Sequence, residues 1–416
     1  VSWERGSLQK HQGKSEFGLI YPTPIKWCTS PIKIAEKGDI LISVRAPVGP
    51  TNICPEKSCI GRGLAAIRGL GNINNKFILY LLRNFEGQFR DKATGTTFEA
   101  ITGKVIRNFE IPLPPLTEQQ RIVNKIEELF TNLDKGIESL EDVKSKLKVY
   151  RQAILKYAME GKLTEKWREE NKDKIESASV LLEKIKEEIK KTEPYKDFPS
   201  IDTSNLVILP EGWEWERLGK IVSDKITKGS TPTSYGFSYV DKGIKFIKTE
   251  NIDEKGNIQG KTDFIDIKTN NFLKRSQLKN RDLLFSIAGT IGRVGLVREK
   301  DLPANTNQAL AIIRCFWNLI ENKYIFYLLK SSLLQNKASQ SIVGVGRANV
   351  SLTDIGFFQV PLAPLEEQKV IVERIEKLFS LADHIEETVD SKIEESKILR
   401  QSILKKAFEG KLVPQD

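Results

Sequence analysis

The stretch Phe109-Glu-Ile-Pro-Leu-Pro-Pro-Leu-Thr-Glu-Gln-Gln-Arg-Ile-Val123 occurs a second time, as Phe358-Gln-Val-Pro-Leu-Ala-Pro-Leu-Glu-Glu-Gln-Lys-Val-Ile-Val372. Both copies lead into a long heptad-patterned segment. The first closes on Arg151-Gln-Ala-Ile-Leu-Lys-Tyr-Ala-Met-Glu-Gly-Lys-Leu163, the second on Arg400-Gln-Ser-Ile-Leu-Lys-Lys-Ala-Phe-Glu-Gly-Lys-Leu412. The copies align without a gap over roughly 55 residues, and a repeat of about 250 residues is far too long for a solenoid unit. It reads as a duplicated domain followed by a duplicated helix.

Prolines at 112, 114 and 115 stop the preceding strand. Thr117 with Gln120 gives a capping-box pattern in the first copy only, since Glu366 replaces Thr117 in the second. The apolar seam then runs Ile126, Phe130, Leu133, Ile137, Leu140, Leu147, Ile154, interrupted by Lys144 and Arg151. Its counterpart is Ile375, Phe379, Val389, Ile393, Ile403. Spacings of three and four are those of a coiled-coil seam, and Gly161 and Gly410 end the two helices. A helix of about 40 residues spans on the order of 60 Å. Two such helices with apolar stripes bury them best against each other.

Residues 1–110 read as a mixed α/β head, with strands at Gly38–Ser43 and Gly63–Arg68 and a helix face at Lys76–Leu82. Residues 209–357 repeat these as Arg281–Ser286, Ala309–Arg314 and Lys323–Leu329. The organisation expected is a first head (1–110), a helical spacer (111–164), a charged helix and linker (165–208), a second head (209–357) and a second spacer (358–416). In the charged segment, Val180, Leu181, Leu182, Ile185 and Ile189 form the apolar face of a helix. Val1–Leu8 matches Asn251–Ile258, so the first head reads as shortened at its start. The fold class is α/β (α+β), pseudo-two-fold.

The chain carries a formal charge of +10. By our count each head holds about +7, while the helical segments are near neutral or negative. Two basic heads on neutral spacers point to a polyanion touched at two places. Four scattered cysteines and two histidines argue against a disulfide framework or a zinc site and for a reducing, cytoplasmic setting. No phosphate-binding loop, dinucleotide fingerprint or adenine-methyltransferase motif occurs, so no catalytic residue and no metal ligand is assigned.

Nucleic-acid chemistry is better represented. Lys225-Ile-Thr-Lys-Gly-Ser-Thr-Pro-Thr-Ser-Tyr235 is a basic, hydroxyl-rich loop suited to phosphates, and Lys225, Lys228, Ser230, Thr231, Thr233 and Ser234 are its candidate contacts. Asn305, Asn307 and Gln308 precede a strand and carry amides able to read adenine. Arg62 aligns with Gln308, and arginine prefers guanine. A third loop before each helix motif contributes Thr96, Thr97 and Lys104, or Arg347 and Asn349. Lys10, Lys14, Arg45 and Arg293 complete the candidate DNA contacts.

The paired motifs Pro112-Leu-Pro-Pro-Leu-Thr-Glu-Gln119 and Pro361-Leu-Ala-Pro-Leu-Glu-Glu-Gln368, the Gly-Lys-Leu helix ends and Leu209-Pro-Glu-Gly-Trp213 together resemble the specificity subunits of type I restriction–modification systems. The resemblance implies two target-recognition domains, each reading half of a split double-stranded DNA site. It implies an antiparallel coiled coil that sets the spacing and docks two methyltransferase subunits, with motor-restriction subunits joining for cleavage. The chain itself would be non-catalytic, with S-adenosylmethionine, ATP and magnesium on the partners. The other reading is a coiled-coil scaffold whose basic heads bind proteins.

Overall fold

The computed structural model describes residues 8–95, 99–190, 198–340 and 349–414. Thr96, Thr97 and Arg347 of the candidate contacts lie outside them. The chain forms two compact units. One holds residues up to Lys144 together with those from Glu387 onward, the other Ser145–Glu386. Two 44-residue helices, Leu116–Met159 and Leu365–Phe408, each contribute to both units. None of the helices is long and apolar enough to cross a membrane among the described residues.

In the first unit, strand Ile40–Ser43 pairs antiparallel with Thr51–Ile53 and Leu64–Ile67. A second sheet runs from Lys26–Cys28 through Leu8–His11 and Ser58–Ile60 to Ile34–Ala35. Helix Asn75–Asn84 is capped by Asn74, whose side chain accepts from the Lys76 and Phe77 N–H groups, and it turns an apolar face inward. That face shares one core with Ile122, Val123 and Ile126 of the first long helix and Ile403, Leu404 and Ala407 of the second.

The second unit repeats the plan. Strand Leu283–Ser286 lies between Val294–Leu296 and Leu310–Ile313, and Thr227–Lys228 adds a fourth strand with no counterpart among the described residues of the first unit. Ile244–Ile247 pairs parallel with Ala304–Thr306 and antiparallel with Asp263–Ile265. Helix Asn322–Lys330 packs with Ile154, Leu155 and Ala158 of the first long helix and Ile371 and Ile375 of the second.

The strand pattern corrects the expected alignment of Val1–Leu8 with Asn251–Ile258. Leu8–His11 has one parallel and one antiparallel neighbour, as Ile244–Ile247 has. It therefore stands in that strand's place. Three smaller expectations also change. The first long helix begins at Leu116, so Thr117 lies within its first turn rather than before it. Val180 is exposed, and Ala178, Leu181 and Ile185 are the buried residues of helix Ala178–Lys190. Among the described residues no strand leads into the prolines at 112, 114 and 115, whereas in the second copy strand Gln359–Leu362 runs through Pro361, which pairs with Trp215.

In the first unit the long helices run antiparallel. Asp134 pairs with Arg400, and ten residues further along, Lys144 pairs with Asp390 at 2.7 Å. In the second unit Arg151 reaches Asp383 at 2.6 Å and Glu386 at 2.9 Å. Lys144 and Arg151 are the two residues that interrupt the apolar seam, and each makes an ion pair across the helix pair. Polar groups at seam positions favour one register over its neighbours. Burial presses the Asp383 carboxyl upward, but hydrogen bonds from Lys255 and Arg151 hold it below its ordinary pKa. Along the seam Ile126, Leu147, Ile154, Ile375, Val389 and Ile403 are buried, while Phe130, Leu133, Ile137, Leu140, Phe379 and Ile393 are half-buried.

Candidate nucleic-acid interface

Four of the candidate cations converge in the first unit. A cavity of about 620 Å³ is lined by Lys10, Lys14, Arg45 and Arg62 together with Gln12, Ser43 and three glycines. Three chain segments build it. Strand Leu8–His11 ends there, and the following turn is fixed by the Gln12 N–H donating to Glu16 Oε2 at 2.8 Å. Strand Ile40–Ser43 ends beside it, the Ser43 hydroxyl donating to the Arg45 carbonyl at 3.0 Å. The Gly61-Arg62-Gly63 turn closes the rim. A Cβ on Gly63 would stand 2.6 Å from the Gln12 carbonyl oxygen, so only glycine lets the two loops touch.

Among the described residues no carboxylate pairs with Lys10, Lys14, Arg45 or Arg62, although carboxylates elsewhere in the unit are paired. Unneutralised cations around a polar cavity suit phosphate or base-edge acceptors. His11 lies behind this face, fully buried, with Nδ1 3.7 Å from Glu16 Oε2. Burial pushes its pKa below the ordinary value despite Glu16, so it does not act as a fifth cation. Lys104 is exposed on the short helix Gly103–Arg107. The preceding loop reaches the cavity through a backbone bridge between Arg45 and Ala100.

The second unit joins two candidate stretches far apart in sequence. Lys228 pairs with Ala311 across a strand ladder. Gly229 lies so close to the Thr306 and Asn307 carbonyls that any side chain would collide with both. The Thr231 hydroxyl then meets the exposed Gln308 side chain. Lys225, Thr233 and Ser234 are exposed on the same loop, and Ser230 is half-buried. Asn349 is exposed, its backbone bridged to Ala288.

Asn305 is withdrawn from the interface. It is fully buried, its amide donating to Asn270 Oδ1 at 2.8 Å and the Leu273 carbonyl at 3.2 Å, and its oxygen accepting from the Thr306 N–H. Such an amide ties strands together and has nothing left for a base. Asn307 turns its oxygen to the Ala309 N–H, and Arg293 spends one guanidinium nitrogen on the Thr249 and Ile252 carbonyls. These two are first of all clamps of the head.

Sequence reasoning passed over several residues. Gln12 lines the first cavity but carries no charge or periodic signal. The turn Lys274–Ser276 packs beside strand Thr227–Lys228 and adds Lys274 and Arg275 to that face. The motif glutamines were quoted without a role. Gln119 accepts from the Asn74 N–H at 3.2 Å and donates to the Pro114 carbonyl at 2.9 Å. Gln368 does the same with the Glu321 N–H and the Ala363 carbonyl, at 2.9 and 2.8 Å. The repeated glutamine thus ties the start of each head helix to the start of each long helix.

Basic, glycine-tightened faces on two like units carry the chemistry that suits a nucleic-acid-binding class of protein. Comparison with known proteins narrows the class. A family model described as the type I restriction modification DNA specificity domain matches residues 30–146 and 210–395. The type I restriction enzyme EcoBI specificity subunit of Escherichia coli is 28% identical over 386 residues, covering 91% of this chain and 74% of the relative. The EcoKI specificity subunit of Escherichia coli K12 is 30% identical, covering 73% of this chain and 58% of the relative. The putative MjaX specificity subunit of Methanocaldococcus jannaschii reaches 44% identity over 140 residues, a third of each chain. Two solved structures share the fold. A chain from a study of assembly and conformational transition of the type I R-M system gives a TM-score of 0.67 at 20% identity, covering 97% of this chain and 92% of its own. The HsdS subunit from Thermoanaerobacter tengcongensis gives 0.53 at 21% identity, covering 97% and 91%. The chain belongs to the type I restriction–modification DNA specificity family, and is its DNA-recognising rather than a catalytic component.

Proposed function

We propose that each head reads one half of a bipartite duplex site and that the paired helices set the unspecified gap between the halves. The observation that carries the reading is the set of unpaired cations around the cavity at Lys10, Lys14, Arg45 and Arg62. The loop bearing Lys225 and Lys228, with the Gln308 side chain that its Thr231 touches, is its counterpart in the second head. Sequence would be read by Arg62 in one head and Gln308 in the other, because these side chains differ in the base edge they match. The helices, alike in sequence where the heads diverge, would dock two methyltransferase subunits by pseudo-two-fold symmetry, with motor-restriction subunits joining them. S-adenosylmethionine, ATP and magnesium would belong to those partners.

The test is duplex binding by the reconstituted complex across a salt series. Wild type is expected to show a steep fall of affinity with salt, and each lost phosphate contact lowers that slope by about 0.9. The pair Lys10→Gln and Lys14→Gln should therefore weaken binding and flatten the slope by one to two units. Arg62→Gln should instead alter which sequences become methylated in one half-site. An unchanged slope together with unchanged methylation sites would overturn the reading and favour a protein-binding scaffold.

A further inference from the structure

The second head exposes an aromatic shelf beside its basic loop. Tyr235 closes the turn Pro232–Tyr235 and is 52% exposed, and Phe272 closes the helix Ile267–Phe272 and is 57% exposed. Their ring centroids lie 5.3 Å apart, and Phe237 joins Phe272 at 5.1 Å. Aromatic rings that pack on each other while facing water leave apolar area unburied, which marks an interaction surface.

The neighbours say which partner. The shelf is flanked in sequence by Lys228 on one side and by Lys274 and Arg275 on the other, and the turn carrying the last two packs against the Lys228 strand. No ion pair engages Lys274 or Arg275 among the described residues. Three carboxylates of this region are occupied internally. Asp224 faces Arg314 at 3.4 Å, Asp263 pairs with Lys248 at 2.5 Å, and Asp266 caps its own helix through the Thr269 N–H. Thr231, four residues before Tyr235, touches Gln308. The segments that carry the rings thus also carry the cations and touch the amide side chain facing solvent.

We propose that Tyr235, Phe237 and Phe272 form an apolar DNA-contacting shelf of the second head, lying against bases or sugars of the duplex while Lys274 and Arg275 hold the backbone. This rests on the DNA-reading role proposed above. Interleaved rings and cations suit a nucleic acid, which offers apolar base surface inside a phosphate frame. A protein partner would need acidic groups placed around its own apolar patch.

An apolar contact and a phosphate contact differ in salt dependence. The reconstituted complex would be titrated with a duplex carrying its mapped methylation site, from low to high salt. Tyr235→Ser with Phe272→Ser should weaken binding about tenfold with the slope unchanged, since no counterion release is lost. Lys274→Gln with Arg275→Gln should flatten the slope by one to two units. Both pairs alter exposed side chains, and methyltransferase-subunit binding is read in parallel to confirm assembly. Full affinity in the aromatic variant, while Lys225→Gln and Lys228→Gln still weaken binding, would overturn the shelf and leave the DNA reading standing. Lost methyltransferase binding in the aromatic variant would equally overturn it, by making the shelf a protein dock. Unchanged affinity in all these variants would sink both.

Discussion

The two copies of the proline-glutamate-glutamine motif carry the same carboxylate into different surroundings. Glu367 is fully buried and accepts three hydrogen bonds, from Thr164 Oγ1 at 2.6 Å, Trp213 Nε1 at 2.7 Å and Arg168 Nε at 3.0 Å. Its donors come from the segment after the first long helix and from the opening of the second head. Glu118 holds the same motif position and is 7% exposed, yet none of the described residues donates to its carboxylate. The pair teaches that a duplicated motif preserves the backbone path while its side chains are finished by whatever chain lies near.

The largest expected effect follows from that difference. Glu367→Ala leaves the Trp213 Nε1–H and the Arg168 Nε–H without their acceptor and the half-buried Arg168 cation without its counter-charge, which costs roughly 3–5 kcal/mol. Glu118→Ala removes no such network and should stay within about 1 kcal/mol. Denaturant unfolding of the full chain, with amide exchange to locate the weakened unit, measures both. Equal destabilisation by the two substitutions would show that Glu118 has a clasp of the same strength.

A second matched pair differs in how far its arginine is buried and in that arginine's other partners, since Arg314 also reaches Asp224 and the Gln277 carbonyl. Asp39 binds Arg68 through two hydrogen bonds of 2.8 Å, and Asp282 binds Arg314 at 2.7 and 2.8 Å. Arg68 is 58% exposed, whereas Arg314 is 13% exposed. Around Asp39 burial pushes the pKa up, but Arg68 and the Glu36 N–H outweigh it, and the carboxyl lies below its ordinary value. Around Asp282 burial prevails over the Arg314 contacts, and the carboxyl lies above it. The signs therefore oppose. Asp39 contributes stability that is present above its unfolded pKa, about 4, and is lost as pH falls through the lower folded value. Asp282 favours the folded state more as pH falls through its raised folded value. Side-chain carboxyl titration by NMR should show the two midpoints on opposite sides of 4. Arg314→Ala should cost about 3 kcal/mol, because it strands a buried carboxylate, and should raise the Asp282 midpoint further. Arg68→Ala should cost less, since water can replace an exposed guanidinium. Midpoints displaced to the same side would break the comparison.

These contrasts also mark what the sequence could and could not disclose. Strands such as Ile40–Ser43 and Leu310–Ile313, buried at every position, were legible as short continuous apolar runs, and the long helices because burial of one stripe imposes a period. The convergence of Lys10, Lys14, Arg45 and Arg62 was legible only as charge, since three separate strand ends meet to make the cavity. Asn305 misled because an amide before a strand looks the same whether it faces DNA or a neighbouring strand; only its burial decides. The place of Leu8–His11 was missed because a short polar strand carries no apolar period, and the direction of its neighbours identifies it. The Glu367 clasp joins residues about 150 to 200 positions apart, beyond any local pattern.

The smallest expected effect tests where the two units should agree. Gln119 and Gln368 are both buried, and each bridges one N–H and one carbonyl in the same geometry. Replacing either by alanine leaves those groups without a partner unless water enters. A net loss of about 1 kcal/mol is expected in each unit. Gln→Met keeps the volume and removes only the hydrogen bonds, so it separates bridging from packing. If the bridge matters, methionine should cost nearly as much as alanine, and exchange of the Asn74 and Glu321 N–H groups should quicken. Gln→Glu retains the acceptor but sets a carboxylate against the Pro114 or Ala363 carbonyl, so it should cost at least as much as methionine. Because neither bridge depends on Glu118 or Glu367 for its partners, the losses should match between units even though those carboxylates differ. A loss confined to one unit would mean that the glutamines, like the glutamates beside them, have been given separate work since the duplication.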